Sequence, residues 1–188
     1  MATTSVSSGA TEEQFQALSK YTACDIADAL LKLKVPNAGF LPDLQLFAPH
    51  PSEIKAEITI APASTVIFAS KSGANTSDLP EANIPPGKHW VDLTQPETIV
   101  VMRQQQGQKC AVLGGIMALR MKVLNAKGVV VNGRVRDLAE LRDTGLPVSI
   151  LIFNSLLSML WQFGYSPQRS RYLLKRLLLY CSTKMRRL

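Results

Sequence analysis

Arg136 and Asp137 stand side by side in the segment 114–147, GGIMALRMKVLNAKGVVVNGRVRDLAELRDTGLP. An arginine offers a planar fork that grips a carboxylate or 2-oxo acid through two parallel hydrogen bonds. An aspartate offers hard oxygens suited to Mg²⁺ or Mn²⁺. Upstream, Gly114-Gly115 follows the apolar run Ala111-Val112-Leu113 and opens a helical pattern. A glycine turn there exposes backbone N–H groups at a helix N-terminus, a ready seat for a carboxylate or phosphate. Each feature also has a plainer reading. The glycines suit any tight connection. Asp137 suits the N-cap of LAELRDTG, with Arg136 solvated, and Glu140 suits a first helical turn. The residues alone leave both readings open. His50 and His89 lack ligand spacing, and neither is expected to be catalytic. No nucleophile elbow, P-loop or dinucleotide fingerprint is present.

The elements that must position these groups can be read from periodicity. A short polar leader, 1–10, is expected to be disordered. TEEQFQALSKY predicts a helix from Thr11, with acids at its start and Phe15 and Leu18 on one face. TACDIADALLKLK predicts a second, with Ile26, Ala29, Leu30 and Leu33 at helical spacing. Residues 40–53 hold three prolines and no period, which predicts a loop. IKAEITIAPAS and TVIFAS predict short strands, followed by a long polar loop, 71–88. HWVDL then leads into a buried strand, Thr98–Met102, and a polar turn around Gly107. Ile116–Ala126 predicts a helix with Ile116, Leu119, Val123 and Leu124 on one face, closed by Gly128. Val129–Val131 predicts a buried strand, and a short helix is expected to start near Asp137. Interleaved strands and helices place the chain in the α/β or α+β class.

With 188 residues there is room for one domain with a real core. The net charge of +7 invites a nucleic-acid reading, but its placement argues against one. Seven of the 21 Lys+Arg lie beyond residue 150, and the 14 that remain match the 14 Asp+Glu, the last of which is Asp143. The basicity therefore belongs to the tail and not to the domain. Cys24, Cys110 and Cys181 are odd in number and far apart, which fits a reducing compartment. The N-terminus has no apolar secretory core, so a cytoplasmic protein is expected.

Gly115, twenty intervening residues, Arg136-Asp137, two further residues and Glu140 make the pattern G-x20-R-D-x2-E. It resembles the signature of the class II 4-hydroxy-4-methyl-2-oxoglutarate aldolases. That family also includes oxaloacetate decarboxylases and the bacterial regulator of ribonuclease activity A. The block AVLGGIMALRMKVLNAKGVVVNGRVRDLAELRDTGLPV is similar to the family's most characteristic segment nearly end to end. LSKYTACDIADALLKL and IPPGKHWVDL resemble fungal-type members, and the resemblance runs over about 13–148. It implies a swivelling β/β/α sandwich and a divalent-metal lyase acting on pyruvate-derived 2-oxo acids. The reactions implied are retro-aldol cleavage of 4-hydroxy-4-methyl-2-oxoglutarate or 4-carboxy-4-hydroxy-2-oxoadipate, and decarboxylation of oxaloacetate. Under it, Asp137 would hold Mg²⁺ or Mn²⁺, and Arg136 would bind the oxo acid. The backbone N–H groups of Gly115, Ile116 and Met117 would hold the pyruvyl carboxylate. It further implies a homotrimer or hexamer with sites at subunit boundaries. From the charge placement and the shortness of the apolar run after residue 147, no nucleic-acid or membrane partner is expected. Asp28 matches an acidic family position.

Three departures stand out. Some aldolase members carry an acid at the position of Gly115, where it serves proton transfer. Asn132 stands where the family often has Asp, a change suited to a turn because both residues tolerate a left-handed backbone. After about residue 148 the small-residue and glycine-rich family ending is replaced by a leucine-rich, basic segment without an acid. The domain is therefore expected to span 11–148 and the sandwich to be incomplete. The tail, 149–188, reads as the product of an altered reading frame, a retained intron or a misplaced gene end, which sequencing a transcript across the junction would check. A basic amphipathic helix over 169–187 is the alternative reading of it. Against the lyase stand a non-catalytic regulatory binding protein and a truncated, inactive relative.

Overall fold

The computed structural model describes residues 11–39, 41, 43–49, 58–69 and 82–151. The expected leader, most of the loop 71–88 and the tail from 152 onward lie outside the described residues. Four helices are described: α1 (Glu12–Leu18), α2 (Ala23–Lys32), α3 (Gly115–Val123) and α4 (Leu138–Asp143). Five strands, β1 (Leu44–Ala48), β2 (Ala63–Phe68), β3 (Ile99–Gln104), β4 (Gly128–Asn132) and β5 (Val148–Leu151), form one sheet in the order β1-β5-β4-β3-β2. β2, β3, β4 and β5 run parallel, and β1 pairs antiparallel with β5. The expected α/β class holds. α3 and α4 are the crossovers that parallel strands require.

Alternation along the strands divides the sheet into two faces. Val100, Met102, Val129, Val131 and Val148 face the side where Ala118, Met121, Leu141 and Leu146 close the main core. Val130 and Leu151 face the other way, into a smaller cluster with Leu41, Leu44, Ile99 and Val101. β4 is apolar on both faces, as a central parallel strand must be.

Several expectations change. Residues 40–53 are not all loop, because β1 lies inside them. Its partner β5 is about a hundred residues away, so no local period announces it. Residues 58–62 lie outside any strand, and β2 begins only at Ala63. β5 continues past residue 148 to Leu151 and pairs with both β1 and β4. On α2, Ile26 is buried, but Leu33 is 74% exposed. α3 turns the opposite face inward from the one its large residues suggest. Gly115, Ala118 and Met121 are buried, whereas Ile116, Leu119 and Val123 are 78%, 53% and 67% exposed. Ala118 and Met121 join the core cluster with the valines of the sheet, and the larger apolar stripe is left outside. Gly128 begins β4 and does not close α3. Asn125, at φ 64°, takes the left-handed closing position, with Asn125 N–H donating to Lys122 O and Ala126 N–H to Met121 O. Asn132 is the last residue of β4 and is not at positive φ, so left-handed tolerance does not explain it. Its Nδ2 is buried without a hydrogen-bond partner among the described residues.

Candidate active site

The C-terminal ends of the parallel strands converge on one edge of the sheet, where α/β proteins place their ligand sites. Two connections meet there. The segment leading from β3 into α3 lies beside the segment leading from β4 into α4. Val112 N–H donates to Arg134 O at 2.8 Å, and Arg136 N–H donates to Leu113 O at 3.0 Å. A single parallel bridge, Leu113 to Val135, is thereby formed. This backbone pairing brings Gly114-Gly115 and Arg136-Asp137 together although they lie far apart in the chain.

Asp137 sits at φ 55°, ψ 54°, in the left-handed region. Asp reaches this region more readily than most residues, but it remains an uncommon, strained conformation. Asp137 occupies the N-cap position of α4, and its carbonyl accepts the first helical hydrogen bond from Leu141 N–H at 2.9 Å. Its side chain, however, makes no capping bond to α4. The carboxylate turns to the other helix, where Oδ2 accepts from Gly115 N–H at 3.4 Å. The Nε of Arg136 lies 3.6 Å from the same oxygen. The plain reading of Asp137 as a cap for its own helix therefore fails on geometry.

The glycines are required by these neighbours. A Cβ at Gly114 would stand 2.6 Å from Asp137 Oδ2 and 3.1 Å from Arg136 Nε. A Cβ at Gly115 would stand 2.4 Å from the Cβ of Glu140. The acid that some aldolases carry at that position has no room here, because the first turn of α4 already fills the space. Gly114 caps α3 without a side-chain bond, and the first turn of α3 contains no acid. An anion could approach the N–H groups of Ile116 and Met117 directly.

A cleft of about 580 Å³ opens at this edge. Its lining includes Gly114, Met117 and Arg136 together with Phe68, His89 and Trp90. Arg136, with its side chain 74% exposed, is the only charged residue in the lining among the described residues. Asp137 is not a lining residue; its carboxylate, 42% exposed, stands against Gly114 and Gly115. Gln104 braces the floor: its Nε2 donates to Cys110 O at 2.7 Å, and its Oε1 accepts from Arg134 N–H at 2.9 Å. His89 and Trp90, assigned nothing by their spacing, come to the cleft through tertiary contacts. No pattern in the chain places them beside Arg136. Asp28 lies on α2, exposed, and is not a lining residue of the cleft.

Among the described residues, no group of three or more His, Cys, Asp or Glu is arranged to hold a metal. Beside the cleft, the Asp137 carboxylate could hold a cation through a single protein ligand, with water and substrate oxygens in the remaining positions, which is how Mg²⁺ is commonly held. No helix of the described residues is long and apolar enough to cross a membrane.

The sequence matches the RraA-like family, Aldolase/RraA, over residues 23–156. No curated protein matches it. Among solved structures, it is similar to Streptomyces coelicolor RraAS2, an unusual member of the RNase ES inhibitor RraA protein family. The TM-score is 0.54 at 19% identity, over 76% of this chain and 63% of that one. An uncharacterized protein from Pseudomonas syringae pv. tomato gives the same TM-score and identity, over 75% of this chain and 56% of that one. The chain thus spans about three fifths of the length of these structures, and at such identities the likeness is one of fold.

Proposed function

The chain belongs to the RraA-like family, which holds metal-dependent aldolases and decarboxylases as well as ribonuclease regulators, and on that premise we propose that it is a divalent-metal-dependent lyase of pyruvate-derived 2-oxo acids. The observation that carries the reading is the Asp137 carboxylate, withdrawn from its own helix and held beside Arg136 at the open start of α3.

In this reading the N–H groups of Gly115, Ile116 and Met117 and the Arg136 guanidinium bind the carboxylate and keto oxygens of the pyruvyl end. Gly115 N–H is shared with Asp137, so Ile116 and Met117 carry most of the backbone contribution. Asp137 would hold Mg²⁺ or Mn²⁺, which supplies positive charge against the developing enolate. The bond from C3 to the leaving fragment breaks, and its electron pair moves onto the keto oxygen. Arg136 faces that oxygen and stabilises the charge. C3 then takes a proton from water, giving pyruvate. Decarboxylation needs nothing more, because CO2 leaves without a proton to give up. Retro-aldol cleavage also needs a base for the hydroxyl proton, and Gly115 supplies none. β-Decarboxylation of oxaloacetate is therefore the reaction that these residues support best.

The test is pyruvate release from oxaloacetate by the purified chain with Mg²⁺, with chelator and with Asp137→Ala. Metal-dependent release that disappears in the variant is expected. Release no faster than Mg²⁺ alone would leave the alternative of a regulatory binding protein, the role named for the family of the Streptomyces relative, or a truncated, inactive relative.

Assembly belongs to the same reading. Ile116, Leu119 and Val123 form an exposed apolar face on α3, the helix whose Met117 lines the cleft. It supports packing against further copies of the chain as a trimer or hexamer, with subunits meeting near the site. Light scattering should give a multiple of 20.6 kDa, and Leu119→Arg should reduce it to the monomer.

A further inference from the structure

The cleft is larger than the pyruvyl end needs; about 580 Å³ lies well within the range of ligand-sized pockets, roughly 300–1,000 Å³. On the β2 side, its lining includes His89 beside Trp90. His89 precedes a short 3-10 turn, Trp90–Leu93, and its Nδ1 accepts from Val91 N–H at 3.3 Å. With Nδ1 acting as acceptor, the neutral ring carries its proton on Nε2 and presents a donor. Two contacts hold the turn in place. Trp90 packs edge-to-face on Phe68 at the end of β2, with centroids 5.3 Å apart. Asp92 pairs with Arg120 of α3 at 2.9 Å. Of the other polar side chains in the lining, Gln104 is engaged at both ends of its amide. Gln108 follows the turn at Gly107 and lacks such anchors. Among the described residues, no acidic side chain lines the cleft.

We propose that His89 is a specificity-determining residue that donates its Nε2–H to a second, distal carboxylate of the substrate, selecting 2-oxo diacids over 2-oxo monoacids. The inference rests on the proposed lyase reading and names what the His89 side of its cleft recognises. Trp90, Phe68 and Met117 flank the aliphatic link between the two acid groups. Recognition by a neutral donor suits decarboxylation. It orients the carboxylate that will leave as CO2 without an ion pair that would hold its negative charge in place.

Two unreactive acids of equal chain length provide the test. 2-Oxoglutarate has a distal carboxylate, and 2-oxovalerate has a methyl group in its place. Calorimetric titration of the full chain with Mg²⁺ should show 2-oxoglutarate binding at least about tenfold more tightly. His89→Leu should erase that preference while leaving the 2-oxovalerate affinity unchanged. His89→Asn keeps a side-chain acceptor for Val91 N–H but lacks the reach of the imidazole, and it should erase the preference too. Equal binding of both acids to the unaltered chain would overturn the assignment of His89 and leave the lyase reading standing. So would a preference that survives in the Asn variant, which would make His89 only a cap for the turn. Binding of neither acid would overturn the lyase reading and this inference together.

Discussion

The first two helices and the last two begin in opposite ways. α1 and α2 are each closed by a reciprocal capping box drawn from adjacent residues. Thr11 and Gln14 close α1, and Thr22 and Asp25 close α2. At α3 and α4 that local closure is missing. α3 begins at a glycine with no side chain to give. α4 begins at an aspartate whose carboxylate has gone to the start of α3. A capping box satisfies the free N–H groups of a helix and adds stability. An open helix start leaves those groups for a ligand. The chain closes the starts of α1 and α2 locally, whereas at α3 only Gly115 N–H is met, by Asp137 from another helix, and the next N–H groups are left for a ligand.

The largest effect that could break this comparison is at Asp137. Asp137→Gly removes the carboxylate and relieves the left-handed backbone, which glycine adopts without cost. Metal-dependent pyruvate release should fall by at least about 100-fold, since even residues that only orient a metal ligand commonly cost 10–100-fold. The melting temperature should hold or rise. A variant that melted well below the parent would make Asp137 a structural residue after all.

Gly115→Ala is next. Its Cβ would lie 2.4 Å from the Cβ of Glu140. Overpacking of this kind costs about 1–3 kcal/mol, and here it should also pry α4 away from α3. Urea unfolding should show the loss, and adding Glu140→Gly should restore most of it. Thr22→Ala acts at the other pair of helices. It should cost about 1 kcal/mol of stability, the usual value of an N-cap, with pyruvate release unchanged. A loss of activity there would mean that the two helix classes are not separate in function.

How far the sequence revealed these features follows the same division. Local signals were legible: the helix expected from Thr11 is α1, the one expected over TACDIADALLKLK is α2, and the valine run is the central strand β4. The spacing of Gly115, Arg136, Asp137 and Glu140 was legible as a pattern, and the structure draws these four residues together. What was hidden depends on distant partners. β1 owes its existence to β5. The inward face of α3 is the one whose Ala118 and Met121 join the core cluster, and the outward Ile116, Leu119 and Val123 mislead any argument from hydrophobicity alone. His89 reaches the cleft through Trp90 on Phe68 and Asp92 on Arg120, contacts that no spacing rule encodes.

The smallest expected effect is electrostatic and sharpens the comparison at α2. The Thr22 hydroxyl, and after it the Thr22 backbone N–H, hold the carboxyl of Asp25 below the ordinary aspartate value. A group whose pKa is lowered by folding adds stability above its unfolded pKa and loses that contribution as the pH falls through the folded one. The cap on α2 is therefore complete at neutral pH and fails only in acid, from the ordinary aspartate range downward. The carboxyl carbon resonance of Asp25 should titrate at lower pH than an aspartate in an unstructured peptide. Thr22→Ala removes the larger of the two causes and should return the midpoint most of the way. A midpoint that did not move would mean that the box is not formed in solution, and α2 would then start as open as α3.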